Sequence, residues 1–463
     1  MSVTLHQIEE FLVAVDQLFP VALSDKTSLE DYAKKLYSQA VLSVEIMNDK
    51  IVSMVAGYNS NTINNLAFVS MVATLPDYQG KGYAKKAMTA FIEKCKEKNM
   101  DGVHLYAAHK NDPAMKLYRE LGFKETKFDT EPRPADVHFL LSFRKNALVT
   151  AIGSYSADIV IKKLKAAGKN VIGTDIYDKA WIADSINVNR FYQVPRTTDP
   201  DEYFEKICSI CIDNNVSYVL PLTDLEVDVL TERREWFAER NITLCLSPED
   251  TIRICRNKKT LFEFAMANCR EVNPIPTRKV DSCSDMPFEL PMICKPYDGR
   301  SSNGIIRINT VEDWNAVKVH PDVDKYIVQP FIKGSIITVD VVRGINTTVA
   351  IARKELLRTK SGAGTSVRVF PYPEIEDASR KLADTLGIIG CVNFEFILDA
   401  EGQFHFIECN PRFSGGVEFS CLAGYDCIIN HLHAFDRQNI DEFKLNHSYH
   451  IARKFEEFVT KID

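Results

Sequence analysis

The sequence has no uninterrupted apolar run long enough to cross a bilayer. Its N-terminus lacks the basic-then-apolar pattern of a secretory leader, so a cytoplasmic protein is expected. Positive charge is not in excess either. The 56 Lys and Arg against 63 Asp and Glu give a net charge of −7, and no basic run stands out, which argues against a nucleic-acid surface. The 12 cysteines are scattered without the spacing of a disulfide framework. One CxxC occurs, Cys208-Ser-Ile-Cys211, inside the helical pattern EYFEKICSICIDNN. With no second CxxC and no histidine nearby, it reads as core packing rather than zinc or redox chemistry. Internal repeats and low-complexity segments are absent too. What is present is ordinary: 463 residues, 45% apolar and 26% charged, material for about three compact units.

The most informative stretch is Cys391 to Gly416, CVNFEFILDAEGQFHFIECNPRFSGG. Two apolar runs, Cys391–Leu398 and Gln403–Cys409, flank the turn signal Asp399-Ala400-Glu401-Gly402, which predicts a β-hairpin. A four-residue loop would set Leu398 against Gln403 and Asn393 against Glu408. Alternation along the strands then sends Glu395, Glu408 and Asn410 from one face. Two carboxylates and a carboxamide gathered there repel one another unless a hard cation sits among them, and oxygen-only ligands favour magnesium. Arg412 follows with a planar fork suited to phosphate. An exposed hairpin with a polar outer face would explain one glutamate. It explains less well the run Glu408-Cys409-Asn410-Pro411-Arg412 ahead of Gly415-Gly416. These residues resemble the metal-binding hairpin of the ATP-grasp superfamily, in particular its carboxylate–amine ligases and carbamoyl-phosphate-synthase-like members, over residues 144 to 440.

Residues 1–143 read differently. Amphipathic helices are expected at 7–18 and at 28–38, the second opened by Ser28-Leu-Glu-Asp31. A hairpin joins Val41–Met47 to Ile51–Tyr58. A further strand, Leu66–Ala73, leads through Gln79-Gly80-Lys81-Gly82-Tyr83-Ala84 into a helix at 84–98. A strand that delivers a glycine-rich turn to a helix N-terminus makes an anion site from unpaired amides and the helix dipole. Alone the turn is a weak signal. A strand at Val103–Ala107, then Asn111-Asp-Pro-Ala114, Tyr118 and Leu121-Gly122-Phe123, strengthen it. The combination resembles the GNAT family of acyl-CoA N-acyltransferases. Gln79, Gly82 and Ala84 match its pyrophosphate signature. The resemblance implies that the amides of Gly80, Lys81, Gly82, Tyr83 and Ala84 hold the CoA pyrophosphate. It further implies that strand 71–73 pairs with the pantetheine arm, that Asn111 contacts the cofactor and that Tyr118 protonates the leaving thiolate. Glu45, His104 and His109 are candidates for the base, which the sequence leaves unassigned. For Tyr118, simple packing on the sheet is the competing reading.

After Phe143 a βαβ pattern restarts: Ala147–Ile152, a helix at 158–167 and Asn170–Ile176. Only Gly153 of a GxGxxG motif is present, so a dinucleotide site is rejected. By resemblance this is the pre-ATP-grasp subdomain, with Asp175, Thr223, Asp224 and Glu226 at strand ends toward an acceptor pocket; structural roles explain them equally well. Lys258, and Lys295 emerging from the apolar strand Pro291-Met-Ile-Cys-Lys295, match the family's two phosphate-binding lysines. The loop Asp298-Gly299-Arg300-Ser301-Ser302-Asn303-Gly304 resembles the lid over the triphosphate, with Ser301, Ser302 and Gly304 as donors. Gln329 and Ile332 fall on the edge that carries the adenine slot. One departure is visible: Ile336 stands where many relatives have a glutamate near the ribose. The basic segment Ala352–Arg368 offers Arg353, Arg358 and Lys360 to an anion, or is a solvated loop.

The expected architecture is therefore an α/β and α+β multidomain chain. A GNAT mixed sheet with flanking helices (1–143) precedes a Rossmann-like pre-ATP-grasp subdomain (144–246) and an ATP-grasp domain (247–463) that ends in a helical segment, 417–463. The expected activity is bifunctional: acetyl-CoA-dependent N-acetylation, and ATP- and Mg²⁺- (or Mn²⁺-) dependent joining of a small carboxylate to an amine through an acyl phosphate. Glu395, Glu408 and Asn410 would hold the metal, and Arg412 would act beside Tyr118 as a catalytic residue of the pair of sites. Small metabolites are the partners, without nucleic acid or membrane, and a homodimer is an assembly the sequence allows. The alternative is a ligase or carboxylate kinase regulated by a CoA-sensing GNAT domain that does no chemistry. A carbamoyl-phosphate synthase or carboxylase assignment is weaker, since the sequence shows one ATP-grasp unit and neither a glutaminase nor a biotin-carrier segment.

Overall fold

A computed structural model describes residues 3–19, 21–60, 66–98, 100–126, 133, 135–143, 145–299, 303–359 and 362–462. The chain divides into two compact units, residues 1–144 and 145–463.

The first unit is a six-stranded mixed sheet. Its strand order is Val41–Met47, Lys50–Tyr58, Leu66–Thr74, Gly102–Ala108, Asp136–Ser142, Lys124–Thr126. Asn48 and Asp49 both take positive φ (49° and 61°), the geometry that closes a two-residue hairpin between Met47 and Lys50. Helix Leu5–Val15 begins with a Thr4–Gln7 capping box, and Leu29–Gln39 with Ser28 accepting from the Asp31 amide. Their apolar faces pack on Ile51, Met54, Ala56, Met71 and Ala73. Helix Tyr83–Glu97 and helix Asp112–Glu120 cover the opposite face around Val55, Val69, Val103 and Leu105.

Among the described residues, the second unit contains three sheets. The parallel one runs Thr243–Leu244, Val216–Leu220, Asn146–Val149, Asn170–Asp175, Arg190–Gln193. Its chain order reverses between Asn146–Val149 and Val216–Leu220, the position at which open α/β sheets form a crevice beyond their carboxyl ends. A four-stranded antiparallel sheet carries Met292–Pro296 between Tyr326–Pro330 and Ile306–Ile308. A six-stranded antiparallel sheet orders Phe404–Asn410, Gly390–Leu398, Ser335–Arg343, Thr348–Arg358, Gly364–Val369, Tyr449–Ala452. That last strand corrects the expectation of a helical C-terminal segment, because residues 449–452 extend the sheet edge beside 366–369.

The hairpin at 390–410 forms, but not in the expected register. Leu398 pairs with Phe404, Asn393 with Asn410, and Glu395 with Glu408, with an irregularity between Glu395 and Phe396. Asp399 Oδ1 accepts from the Gln403 amide, and its backbone N–H donates to the Gln403 carbonyl, so the loop is one residue longer than the turn signal implied. The bulge at Ile407 then shifts the register by one more, which sets the two glutamates directly opposite each other.

Candidate functional site

Two cavities of the second unit meet at this hairpin. The larger, about 680 Å³, lies between the carboxyl ends of the parallel sheet and the hairpin, and Glu395, Glu408, Asn410 and Arg412 line it. The smaller, about 200 Å³, runs between the four-stranded sheet and the hairpin's outer face. Glu395, Glu408 and Arg358 line both.

Side-chain alternation builds the smaller cavity. Lys295 and Ile293 project from one face of Met292–Pro296, and Glu395 and Ile397 from one face of Gly390–Leu398. Ile275, Ile305, Ile332, Ile336 and Ile407 complete an apolar slot. Ile336 therefore contributes carbon where a ribose-binding glutamate was considered. Gln329 is at the slot, but its amide donates to the Thr277 hydroxyl at 2.7 Å. Gly299 and Asn303 line the rim; Gly304 is described with φ 72°, whereas Ser301 and Ser302, with Arg300 and Lys360, lie outside the described residues.

Charge at the junction is tightly organised. Lys258, the first residue of helix Lys258–Asn268, donates to the Gly299 carbonyl at 2.6 Å and lies 3.2 Å from Glu408 Oε2. Lys295 is 9% exposed, and burial pulls its ammonium down to about 8 against the opposing pull of Glu408. Burial and the facing Glu408 push Glu395 up to about 7. Burial acts on Glu408 in the same direction, but Lys258 and Lys295 outweigh it and hold Glu408 below the ordinary glutamate range. The two opposed carboxylates disfavour ionising together. Asn410 donates to Asn393 Oδ1 at 3.2 Å, leaving its own carbonyl oxygen as the third donor of an all-oxygen set. That set suits a hard dication, whose charge would offset that of the two carboxylates. Among the described residues no group of three or more His, Cys, Asp or Glu side chains forms a metal cluster.

Other expected residues are held elsewhere. Arg412 makes a two-point pair with Asp224 at 3.1 and 2.7 Å, so it lines the large cavity as an ion pair and not as an unengaged fork. Thr223 and Glu226 form the capping box of helix Asp224–Thr231, and Glu226 also accepts from Tyr203 at 3.1 Å. Asp175 accepts from the Gly153 amide at 2.8 Å. Arg353 is corrected: it belongs to the strand Thr348–Arg358, is 1% exposed, and pairs with Asp340 at 2.5 Å and Ser414 at 2.9 Å. It is a structural cation, not a loop residue offered to an anion. Arg358 remains at the junction, 3.7 Å from Glu395. Sequence reading named Ile332 and Ile336 but missed the other isoleucines of the slot, although those at 293 and 397 stand two residues from Lys295 and Glu395 and alternation would have named them.

In the first unit, Gly80 and Gly82 take φ of 72° and 84°, and no side chain caps the N-terminus of Tyr83–Glu97. The amides of residues 80–84 are thus presented in a left-handed turn that disfavours Cβ-bearing residues at its two glycines. Gln79 donates to the Thr74 carbonyl at 3.2 Å, and Lys81 lies 5.5 Å from the Tyr78 ring. The parallel pairing of Leu66–Thr74 with Gly102–Ala108 stops at Val69 and Leu105 while both strands continue, so the sheet opens beside that turn. Asn111 caps helix Asp112–Glu120 by accepting from the Ala114 amide, a structural role that occupies its side-chain oxygen. Tyr118 is 6% exposed among Phe123 and Phe139, and burial pushes its phenol up to about 12. The thiols of Cys208 and Cys211 are free and likewise raised by burial.

Three family models match in succession: the acetyltransferase (GNAT) family over residues 9–123, the PylC-like N-terminal domain over 148–245, and ATP-grasp in the biosynthetic pathway with Ter operon over 322–455. A mycothiol acetyltransferase of Corynebacterium aurimucosum is 42% identical over 55 residues, 12% of this chain and 18% of that protein, so the chain spans under a fifth of that relative. Among solved structures, biotin carboxylase from Campylobacter jejuni superposes with a TM-score of 0.56 at 16% identity, over 65% of this chain and 74% of that one. N5-carboxyaminoimidazole synthetase from Staphylococcus aureus gives 0.52 at 15% identity, over 65% and 79%. L-amino acid ligase from Bacillus licheniformis gives 0.51 at 15%, over 63% and 74%. At these identities the likeness is one of fold.

Proposed function

From a chain that carries a GNAT acetyltransferase domain, a PylC-like N-terminal domain and an ATP-grasp domain, we propose a bifunctional enzyme. Residues 1–143 transfer acetyl from acetyl-CoA to an amine. Residues 144–246 and 247–463 together join a small, amino-acid-like carboxylate to an amine with conversion of ATP to ADP. The observation that carries the ligase half is the shared wall of the two cavities. A nucleotide in the apolar slot and an acceptor in the larger cavity would meet at Glu395, Glu408, Lys258 and Lys295.

The adenine would lie among the isoleucines and the polyphosphate would reach Lys258 and Lys295, whose charges oppose those of the transferring phosphoryl group. Magnesium, when bound by Glu395, Glu408 and Asn410, would supply charge neutralisation on the phosphate oxygens. Lys258 releases Glu408 as the phosphate takes over its ammonium. The Arg412–Asp224 pair holds the rim between the two cavity walls, which positions the acceptor carboxylate for attack on the γ-phosphate. An amine then displaces phosphate from the acyl phosphate. In the transferase half the amides of residues 80–84 would hold the pyrophosphate, the unpaired edge at 71–73 the pantetheine arm, and Tyr118 would return a proton to the thiolate.

The test is ADP release from ATP and Mg²⁺ with amino acids and small carboxylates offered singly and in pairs, with and without acetyl-CoA. ADP that requires a carboxylate and an amine together supports the ligase. ADP with a carboxylate alone makes the protein a kinase. No ADP across the screen, with ATP still bound, refutes the ligase reading.

A further inference from the structure

On the transferase sheet the helices Leu5–Val15 and Leu29–Gln39 cover residues of the second and third strands. The adjoining surface of the same sheet carries rings: Phe68, His104, Tyr106 and His138. None of them enters either apolar core of this unit. Val103, Leu105 and Ala107 face the Tyr83–Glu97 helix, so alternation sends His104 and Tyr106 to the other side. His104 Nδ1 lies 3.1 Å from His138 Nε2, and His138 stacks on Tyr106 with centroids 4.3 Å apart. Phe68 is 5.1 Å from His104. Phe68 and His104 are cross-strand partners on the second-last rung before the two strands part. His138 is 3% exposed, whereas Phe68, His104 and Tyr106 keep part of their surface open. An imidazole pair with an accessible member therefore flanks the opening in which the thioester of the proposed reaction would lie.

We infer that His104 accepts the proton lost by the amine during acetyl transfer, and that His138 is a positioning residue that fixes the His104 ring. The inference rests on the transferase reading above. The acceptor it implies is a primary amine arriving as an ammonium, which the Phe68 ring face attracts; the Tyr106 ring is stacked on His138 and has the Arg133 guanidinium 5.7 Å from its centroid. His104 takes one ammonium proton on its imidazole ring. The amine lone pair then forms the C–N bond at the thioester carbonyl. The C–S bond breaks with its electron pair on sulfur, the thiolate receives a proton from Tyr118, and the acylated nitrogen gives up its second proton, which restores the phenol. Ammonium and acetyl-CoA give N-acetylamine, CoA thiol and one proton.

The test is CoA release from acetyl-CoA by the full chain with ethylamine as probe, which asks of the site only room for an amino group. His104→Ala is expected to lose roughly 10²- to 10⁴-fold in rate, to bind acetyl-CoA unchanged, and to recover part of the rate on adding imidazole. His104→Asn keeps a polar atom toward His138 but no base, and should be equally slow. His138→Gln, whose amide lies near the Nε2 position, should retain most of the rate that His138→Phe loses. A wild-type rate in both His104 variants overturns the inference and leaves the transferase reading standing. Loss of acetyl-CoA binding in both variants, without recovery by imidazole, makes the ring structural and also overturns it. A wild-type chain that binds acetyl-CoA but releases no thiol overturns the transferase reading and the inference with it.

Discussion

Lys295 illustrates how one buried side chain sets a pH limit. Its ammonium is drawn down to about 8, chiefly because burial disfavours the charged form. The lysine serves a polyphosphate only while protonated, and the charge is lost as pH rises through its folded-state value. The kcat/KM for ATP, which reports groups of the free enzyme, is expected to fall above about pH 8. Lys295→Arg should remove that alkaline fall, since guanidinium stays charged, while lowering the maximal rate because its fork fits the lysine site poorly. A pH–rate profile of both proteins decides it; an alkaline limb unchanged by the arginine would assign it to another group. Arg353 makes the opposite case. It and Asp340 are both 1% exposed, and Ser414 and Ser420 also donate to Asp340. Arg353→Met would leave a buried carboxylate without its cation and should cost roughly 3–5 kcal/mol, read as a lowered denaturation midpoint of the second unit.

At the scale of elements, the hairpin shows what could be read in advance. Turn residues and alternation located both strands and placed Glu395, Glu408 and Asn410 on one face. Loop length and bulge were not legible, since both are set by contacts outside the hairpin. The Phe406 N–H donates to the Asn273 carbonyl and its own carbonyl accepts from the Ile275 N–H, which holds the bulged strand from its far side. In residues 1–143, period with capping and turn residues located the first two helices, the helix after the glycine turn and four of the strands, whereas Lys124–Thr126 and Asp136–Ser142 were not named. The strand at 449–452 was not, because a short edge strand carries little pattern and its partner lies far away in sequence. Arg353 was misread for a similar reason: a charge inside a strand looks like a loop charge until its buried partner is known. Gly334 tests the element directly. An added Cβ would lie 2.3 Å from the Leu398 carbonyl oxygen and 2.5 Å from Ile397 Cγ2, where the strand after it meets the hairpin. Gly334→Ala should cost roughly 1–3 kcal/mol and weaken ATP binding through Ile397, with acetyl-CoA binding unchanged. An unaltered melting curve would mean that the hairpin yields at this point.

For the molecule as a whole, the two proposed chemistries fall on different units. The proposed metal donors and phosphate lysines all belong to residues 145–463, and the proposed CoA turn and Tyr118 to residues 1–144. Glu408→Gln removes one of two facing carboxylates and the partner of Lys258, so ADP formation should drop by at least about 10²-fold while CoA release continues at its original rate. Tyr118→Phe should do the reverse, slowing CoA release and sparing ADP formation, when each half is supplied with its own substrates. Measuring both products in both variants separates three arrangements. Independent losses describe two enzymes on one chain. Loss of both products in each variant describes a single coupled cycle in which one half feeds the other. ADP formation that still responds to acetyl-CoA in the Tyr118→Phe protein describes a CoA-binding regulator, because the phenol that would serve chemistry has gone while the amides of residues 80–84 remain.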